Sequence, residues 1–314
     1  MAFGQGQVST EGGSFKRYIG VASVYVLAVN PDKAELEKLY GRTLDKEPEY
    51  IGETEVGPEG NKTKVPQVRL DFIVKVDSEK YLDSQNQPLE FISKVSVFLG
   101  KSPRIGANSG KYQVIDKYGR TAWATVEDIN AKRIPQYTNG PANISEGYRA
   151  AYIGEEELIG FLKAFLNIPN VEKWEEKDGK RQVVGLIDHP EDAEALLEHI
   201  DDYFKGDFTE LRKIIGYQPN NKIKVLFGVK NTDDNKQVQT VYTRMFLKNN
   251  ITDYSKLDKH VKEAQDGGAL GNCIFDCTEL HEYVVEATNF AAAPGNVPFP
   301  PAGQAKTPWG QGSN

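Results

Sequence analysis

The chain has 314 residues, a formal charge of -7, 39% hydrophobic and 26% charged residues, the balance of a soluble globular protein with room for one large domain or two ordinary ones. No run approaches the ~18 apolar residues of a membrane span, and the opening MAFGQGQVSTEGGSFKRYIG has no basic stretch leading into an apolar one, so an intracellular protein without a membrane partner is expected. Cys273 and Cys277 are too few and too close for a disulfide framework.

Residues 1–14 are rich in Gly, Gln and Ser and read as a mobile tail. RYIGVASVYVLAV (17–29) is a long apolar strand, and PDKAELEKLYGR (31–42) a helix with Pro31 near its first turn and Gly41 at its end. VRLDFIVKV (68–76), KVSVFLGK (94–101) and KYQVIDK (111–117) carry the period-two patterning and β-branched or aromatic residues of strands. EEELIGFLKAFLNIP (155–169) instead has a helical period, with Leu158, Phe161, Leu162 and Phe165 on one face and three acids in the first turn. HPEDAEALLEHIDDYFKG (189–206) and DFTELRKIIGY (207–217) read as helices too. KIKVLFGVK (222–230) and QVQTVYTRMFLK (237–248) are two strands joined by the polar loop KNTDDNK (230–236). The last stretch, 291–314, holds five prolines and almost no charge, so it cannot bury enough surface to order itself. Phe299 and Trp309 within it lack the spacing of a helix or strand.

Charge is segregated along this order. Residues 91–150 hold nine Lys and Arg against four Asp and Glu, 155–202 five against fourteen, and 203–250 nine against four. The basic segments are strand-like and the acidic one helical. The expected fold is α+β: an OB-like Greek-key β-barrel built from 15–154 and 218–290, interrupted by an acidic helical insertion at 155–217 and flanked by the tails 1–14 and 291–314, with two separate β domains as the alternative.

Catalytic signatures are missing from the sequence. GANSGKY (106–112) is one residue short of a phosphate loop and has Tyr where Ser or Thr would hold magnesium. His189, His199, His260 and His281 lie in no recognisable catalytic context, and Asp71, Asp116 and Asp128 lack the clustering a nuclease needs. Cys273, Cys277 and His281 recur at intervals of four, but CIFDCTEL is strand-like and a fourth zinc ligand is lacking. No enzyme, metal or cofactor is expected.

The surface chemistry points elsewhere. GKYQVIDKYGRTAWAT (110–125) concentrates Lys111, Tyr112, Lys117, Tyr118, Arg120 and Trp123 in sixteen residues. Such a mixture is costly to bury but suits a polyanion with flat rings: cations track phosphates, and aromatic platforms stack bases at about 1–3 kcal/mol each. YTRMFLK repeats it with Tyr242, Arg244, Phe246 and Lys248, which simple alternation places on one strand face while Val241, Thr243, Met245 and Leu247 turn away. These ten residues are the expected DNA-contacting set. The acids of 155–217 are expected to face away from the nucleic acid or to lie over the basic groove as a competitor.

RYIGVASVYVLAVNPDKAELEKLYGR, GKYQVIDKYGRTAWAT, GPANISEGYRAAYIGEEEL and QPNNKIKVLFGVKNTDDNKQVQTVYTRMFLKN resemble the single-stranded DNA-binding proteins of crAss-like tailed phages of gut Bacteroidetes, over about residues 15–290. The resemblance implies a phage-encoded protein of the bacterial host cytoplasm. It would coat single strands in DNA replication and recombination, with single-stranded DNA and phage replication proteins as partners. It supplies no list of contact residues. The chain departs from many such proteins in ending in TPWGQGSN rather than in an acidic tail. The competing reading is a structural virion or scaffold protein without catalytic activity.

Overall fold

A computed structural model describes residues 16–57, 60–106, 109–115, 121–131, 149–166, 172–177, 180–186, 199–217, 221–232, 237–268 and 270–283, with only the backbone course given for 172–177 and 180–186. The first half runs β1 (Arg17–Val29), α1 (Lys33–Tyr40), β2 (Ile51–Val56), β3 (Thr63–Val76), β4 (Ile92–Pro103), β5 (Tyr112–Ile115), β6 (Thr121–Ala124), α2 (Val126–Asn130), β7 (Arg149–Ala150) and β8 (Tyr152–Ile153). It continues with α3 (Glu155–Phe165), β9 (Glu172–Lys177), β10 (Lys180–Leu186), α4 (Ile200–Tyr203), α5 (Thr209–Tyr217), β11 (Lys222–Asn231), β12 (Gln237–Lys248), α6 (Ser255–Asp266), β13 (Cys273–Phe275) and β14 (His281–Tyr283). Both tails, the end of the 230–236 loop and most of the expected 189–206 helix lie outside the described residues.

The fold is mixed α+β and its strands pair antiparallel. Nine of them form one curled half-barrel in the order β12-β11-β1-β3-β4-β8, with β2 added to β3, β13 to β11 and β14 to β1. β6-β5-β7 make a small second sheet, and β9 and β10 pair only with each other. Among the described residues no pairing joins β12 back to β4 or β8, so the sheet stays open.

Alternation explains which face is which. Leu70, Phe72, Val74 and Val76 of β3, Val95, Val97 and Leu99 of β4, and Ile223, Val225 and Phe227 of β11 point into the curl. There they meet Leu158, Phe161, Leu162 and Phe165 of α3, the helical face read from the sequence, and Ile200, Tyr203, Leu211 and Ile215 of α4 and α5. Phe161 is fully buried, stacked on Phe72 with ring centroids 3.9 Å apart and edge-on to Phe246 at 5.2 Å. Full burial of each such side chain stabilises by about 1.5–3 kcal/mol. On the other face α6 covers Val21, Leu226 and Tyr242 through Leu257, Val261 and Ala264, while Leu36 of α1 covers Ala28 and Ile73. α1 starts where Asp32 caps the Glu35 amide at 2.8 Å and stops at Gly41, whose φ of 63° few other residues tolerate.

Of the expected helical segment 155–217, the helices α3, α4 and α5 supply one wall of the main core, and between them β9 and β10 form a hairpin where helix was expected. The acids hid this, because β9 holds a single apolar residue, Trp174, and so shows no period-two pattern.

Near the C-terminal end of the described chain, residues 273–283 wedge between β1 and β11 where those strands part, β13 joining β11 and β14 joining β1. Glycines admit them. A Cβ on Gly228 would lie 2.4 Å from the Phe275 ring and 2.6 Å from the Ile274 carbonyl. Gly228→Ala is therefore expected to destabilise by about 1–3 kcal/mol in urea unfolding, as overpacking does. Gly52→Ala, at a β2 position with nothing within 4 Å, should stay within about 0.5 kcal/mol.

Candidate nucleic-acid interface

The small sheet carries the first group of expected contacts. β5 and β6 pair Tyr112 with Ala124 and Gln113 with Trp123, and β7 adds Ala150 opposite Val114. Lys111 is exposed and makes no ion pair among the described residues, Tyr112 is half-buried, and Trp123 keeps 40% of its surface exposed. One edge of the indole rests on the turn before β5, since a Cβ on Gly106 would lie 3.1 Å from the Trp123 ring. That turn closes through the Gly110 amide to the Gly106 carbonyl at 2.9 Å, with Gly110 at φ 62°. Glycine thus both shapes the turn and leaves room for the indole. Ile105 and Val126 are also exposed, at 39% and 49%. Lys117, Tyr118 and Arg120 lie outside the described residues.

The first turn of α3 fixes the small sheet in place. Glu155 is fully buried and bidentate to the Arg149 guanidinium, with one bond of 2.9 Å and a shorter second one, and it also accepts the Tyr152 amide at 2.8 Å. Glu156 accepts from Arg104 at 2.6 Å and from Gln113, the cross-strand partner of Trp123, at 2.9 Å. Oε2 of Glu157 is buried without a hydrogen-bond partner. Burial pushes the Glu157 carboxyl above the usual carboxylate range, against the pull of Arg104 and Arg244. The expectation that these acids face away or overlie a groove is corrected for this turn: Glu155 is a buried anchor, Glu156 an exposed one held by Arg104 and Gln113, and Glu157 is sealed at one oxygen.

β12 departs from the expected alternation. Lys224 pairs with Leu247 and Leu226 with Tyr242, so β12 takes five steps where β11 takes two. The extra residues form a bulge that reverses the face. Tyr242, 2% exposed, packs against α6, its hydroxyl 2.6 Å from His260 Nδ1, and burial pushes its pKa up to about 12. Phe246, 8% exposed, turns the opposite way onto Phe161. The shared Tyr-Arg-Phe-Lys face does not exist, and both aromatics are core. Arg244 stands exposed within the bulge and Lys248 is half-buried at the strand end, neither in an ion pair among the described residues. α3 links the two regions, since Glu156 holds Gln113 beside Trp123 while Glu157 lies in the field of Arg244.

Cation-aromatic pairs, most of them joining separated segments, carry no signature in the local sequence. Arg69 lies 5.6 Å from the Tyr50 ring, Lys222 4.6 Å from Tyr25, and Lys80 and Lys224 each 5.0 Å from Tyr81 and Tyr254. Several of these cations are already neutralised, Arg69 by Asp71 at 3.0 Å and Lys222 by Asp77 at 2.8 Å. The one usable signal is strand register, which sets Tyr25 opposite both Lys75 and Lys222.

Among the described residues no group of three His, Cys, Asp or Glu could hold a metal ion. No helix among them is long and apolar enough to cross a membrane. Comparison with protein-family models, curated proteins and solved structures finds no match to the chain.

Glu157 yields a stability prediction. Its folded pKa is raised, so its favourable contribution is present below the unfolded pKa and is lost as pH rises through the folded value. Glu157→Gln should therefore raise stability near pH 7 by roughly 1 kcal/mol, because the amide keeps the side chain's shape without its buried charge. In melting curves the advantage should vanish below about pH 4, where the wild-type acid is protonated in both states.

Proposed function

We propose that this chain binds single-stranded DNA without strong sequence preference and serves phage DNA replication or recombination in the bacterial host cytoplasm. One observation carries the reading: an exposed indole, Trp123, and an exposed lysine, Lys111, that makes no ion pair among the described residues both border the Gly106 turn. A base can stack on the first while its phosphate meets the second. Arg244, whose charge acts on Glu157 in the first turn of α3, extends the cationic surface. In this reading the half-barrel takes the part of an OB-like Greek-key core, and replication proteins are the expected partners.

Titration of labelled single-stranded and duplex oligonucleotides at two salt concentrations tests it. Single strands should bind more tightly than duplex, because stacking needs unpaired bases. Log affinity should fall against log salt with a slope of roughly -0.7 for each phosphate contacted. Equal affinity for duplex, or affinity indifferent to salt, would contradict the reading, and assembly into particles without DNA would favour a scaffold.

A further inference from the structure

Side chains from the loop between β3 and β4, from β11 and from just ahead of α6 gather around one carboxylate carried by the segment between β13 and β14. The Tyr254 hydroxyl donates to Glu279 Oε1 at 2.8 Å, the Tyr81 hydroxyl to Oε2 at 2.9 Å, and the Lys80 ammonium to Oε2 at 3.1 Å. Lys224, 3% exposed, stands behind them with its Nζ 2.7 Å from the Tyr254 hydroxyl.

These donors are oriented by groups other than Glu279. The Ser23 amide donates to the Tyr81 hydroxyl at 3.1 Å, and Lys224 donates to the Tyr254 hydroxyl, so each phenol has its own proton left for the anion. Lys224 is anchored in turn by the Ile251 carbonyl. The convergence is thus a property of the body of the fold. Two ammonium groups face one carboxylate here, so the site keeps a net positive charge that an incoming oxyanion meets once the carboxylate turns away.

The resident anion is easily moved. Its side chain is 52% exposed and that of Lys80 42%, so rotation about the side-chain bonds of Glu279 opens the cradle to solvent without unpairing β13 or β14. Burial works against the Glu279 carboxylate, but the hydrogen bonds from Tyr254, Tyr81 and Lys80 outweigh it and hold its pKa below the ordinary range. The cradle therefore favours an ionised oxygen pair.

We propose that Tyr81, Tyr254, Lys80 and Lys224 form a phosphate-binding site in which the Glu279 carboxylate stands in for two non-bridging phosphate oxygens and is displaced by the ligand. For a phosphodiester as the source of that phosphate, the proposal rests on the single-strand reading above. A free phosphate ion has the same oxygens and needs no such reading.

The test uses the full chain, with inorganic phosphate followed by equilibrium dialysis and a labelled oligothymidylate followed by anisotropy. Glu279→Gln removes the competing charge and should bind phosphate about tenfold more tightly, and the gain should disappear in the Glu279→Gln/Lys80→Gln double variant. A parallel gain for the oligonucleotide supports the site and identifies a phosphodiester as its ligand, whereas a gain for phosphate alone supports the site with a free anion as the source. A wild-type chain that ignores single strands while Glu279→Gln still gains phosphate affinity sinks the single-strand reading and supports the anion site. Should Glu279→Gln fail to fold, Lys80→Gln, at a surface position, must weaken phosphate binding by a similar factor. A folded Glu279→Gln protein with unchanged affinity for both probes, or an unchanged Lys80→Gln protein, overturns the proposal.

Discussion

Burial of the aromatic face of α3 inside the curled sheet is the constraint on which the rest of the structure depends. Phe161 touches Phe72 on β3 and Phe246 on β12, two strands separated in the sheet by β1 and β11. An open sheet of this width has no covalent or hydrogen-bonded closure between its edges among the described residues. The helix closes the gap by packing, and dispersion among close-fitted rings is strong enough to do so because many weak contacts act together. Once Phe161 and Phe165 are placed, the first turn of α3 has little freedom. It must arrive beside β5 and β7.

That placement converts acids into fasteners. Glu155 ties β7 through Arg149, and Glu156 ties the Arg104 segment and Gln113. A buried carboxylate such as Glu155 survives only because a bidentate guanidinium and a backbone amide satisfy it. The small sheet that presents Trp123 is thereby held by charge-assisted bonds at its root, with Ile115, Ala151 and Ile159 as a small apolar hinge pin between sheet and helix. Overall negative charge and a local cationic surface are compatible for this reason: several acids point inward, while Lys111 and Arg244 remain outside.

Much of the main sheet was legible. β1, β3, β4, β11 and β12 follow from runs of Val, Ile, Leu and Phe with period two, α1 from Pro31 and Gly41, and α3 from four apolar residues on one helical face. Three features were not. The bulge in β12 reversed the faces of Tyr242 and Phe246, because a few inserted residues leave no mark on composition yet undo parity. The β9–β10 hairpin lies between helical patterns in an acid-rich stretch that masks it, although Asp178-Gly179, a strong hairpin dipeptide, lies between its strands. The convergence of Tyr81, Tyr254, Lys80 and Lys224 on Glu279 joins positions nearly two hundred residues apart, and only strand register brings them together. Of the ten expected contacts, Lys111, Trp123 and Arg244 are exposed, whereas Tyr242 and Phe246 belong to the core for reasons of packing that local sequence does not encode.

The central claim is that Trp123 is a surface platform for an unpaired base and not a core residue. Trp123→Ala tests it most directly when melting and oligonucleotide affinity are measured on the same protein. A platform that stacks one base predicts an unchanged melting temperature, a loss of about 1–3 kcal/mol in binding and a salt slope close to wild type, since stacking releases few ions. A variant that binds single strands as well as wild type, or one that melts early with the 3–5 kcal/mol deficit typical of roughly a whole buried indole, would contradict the account.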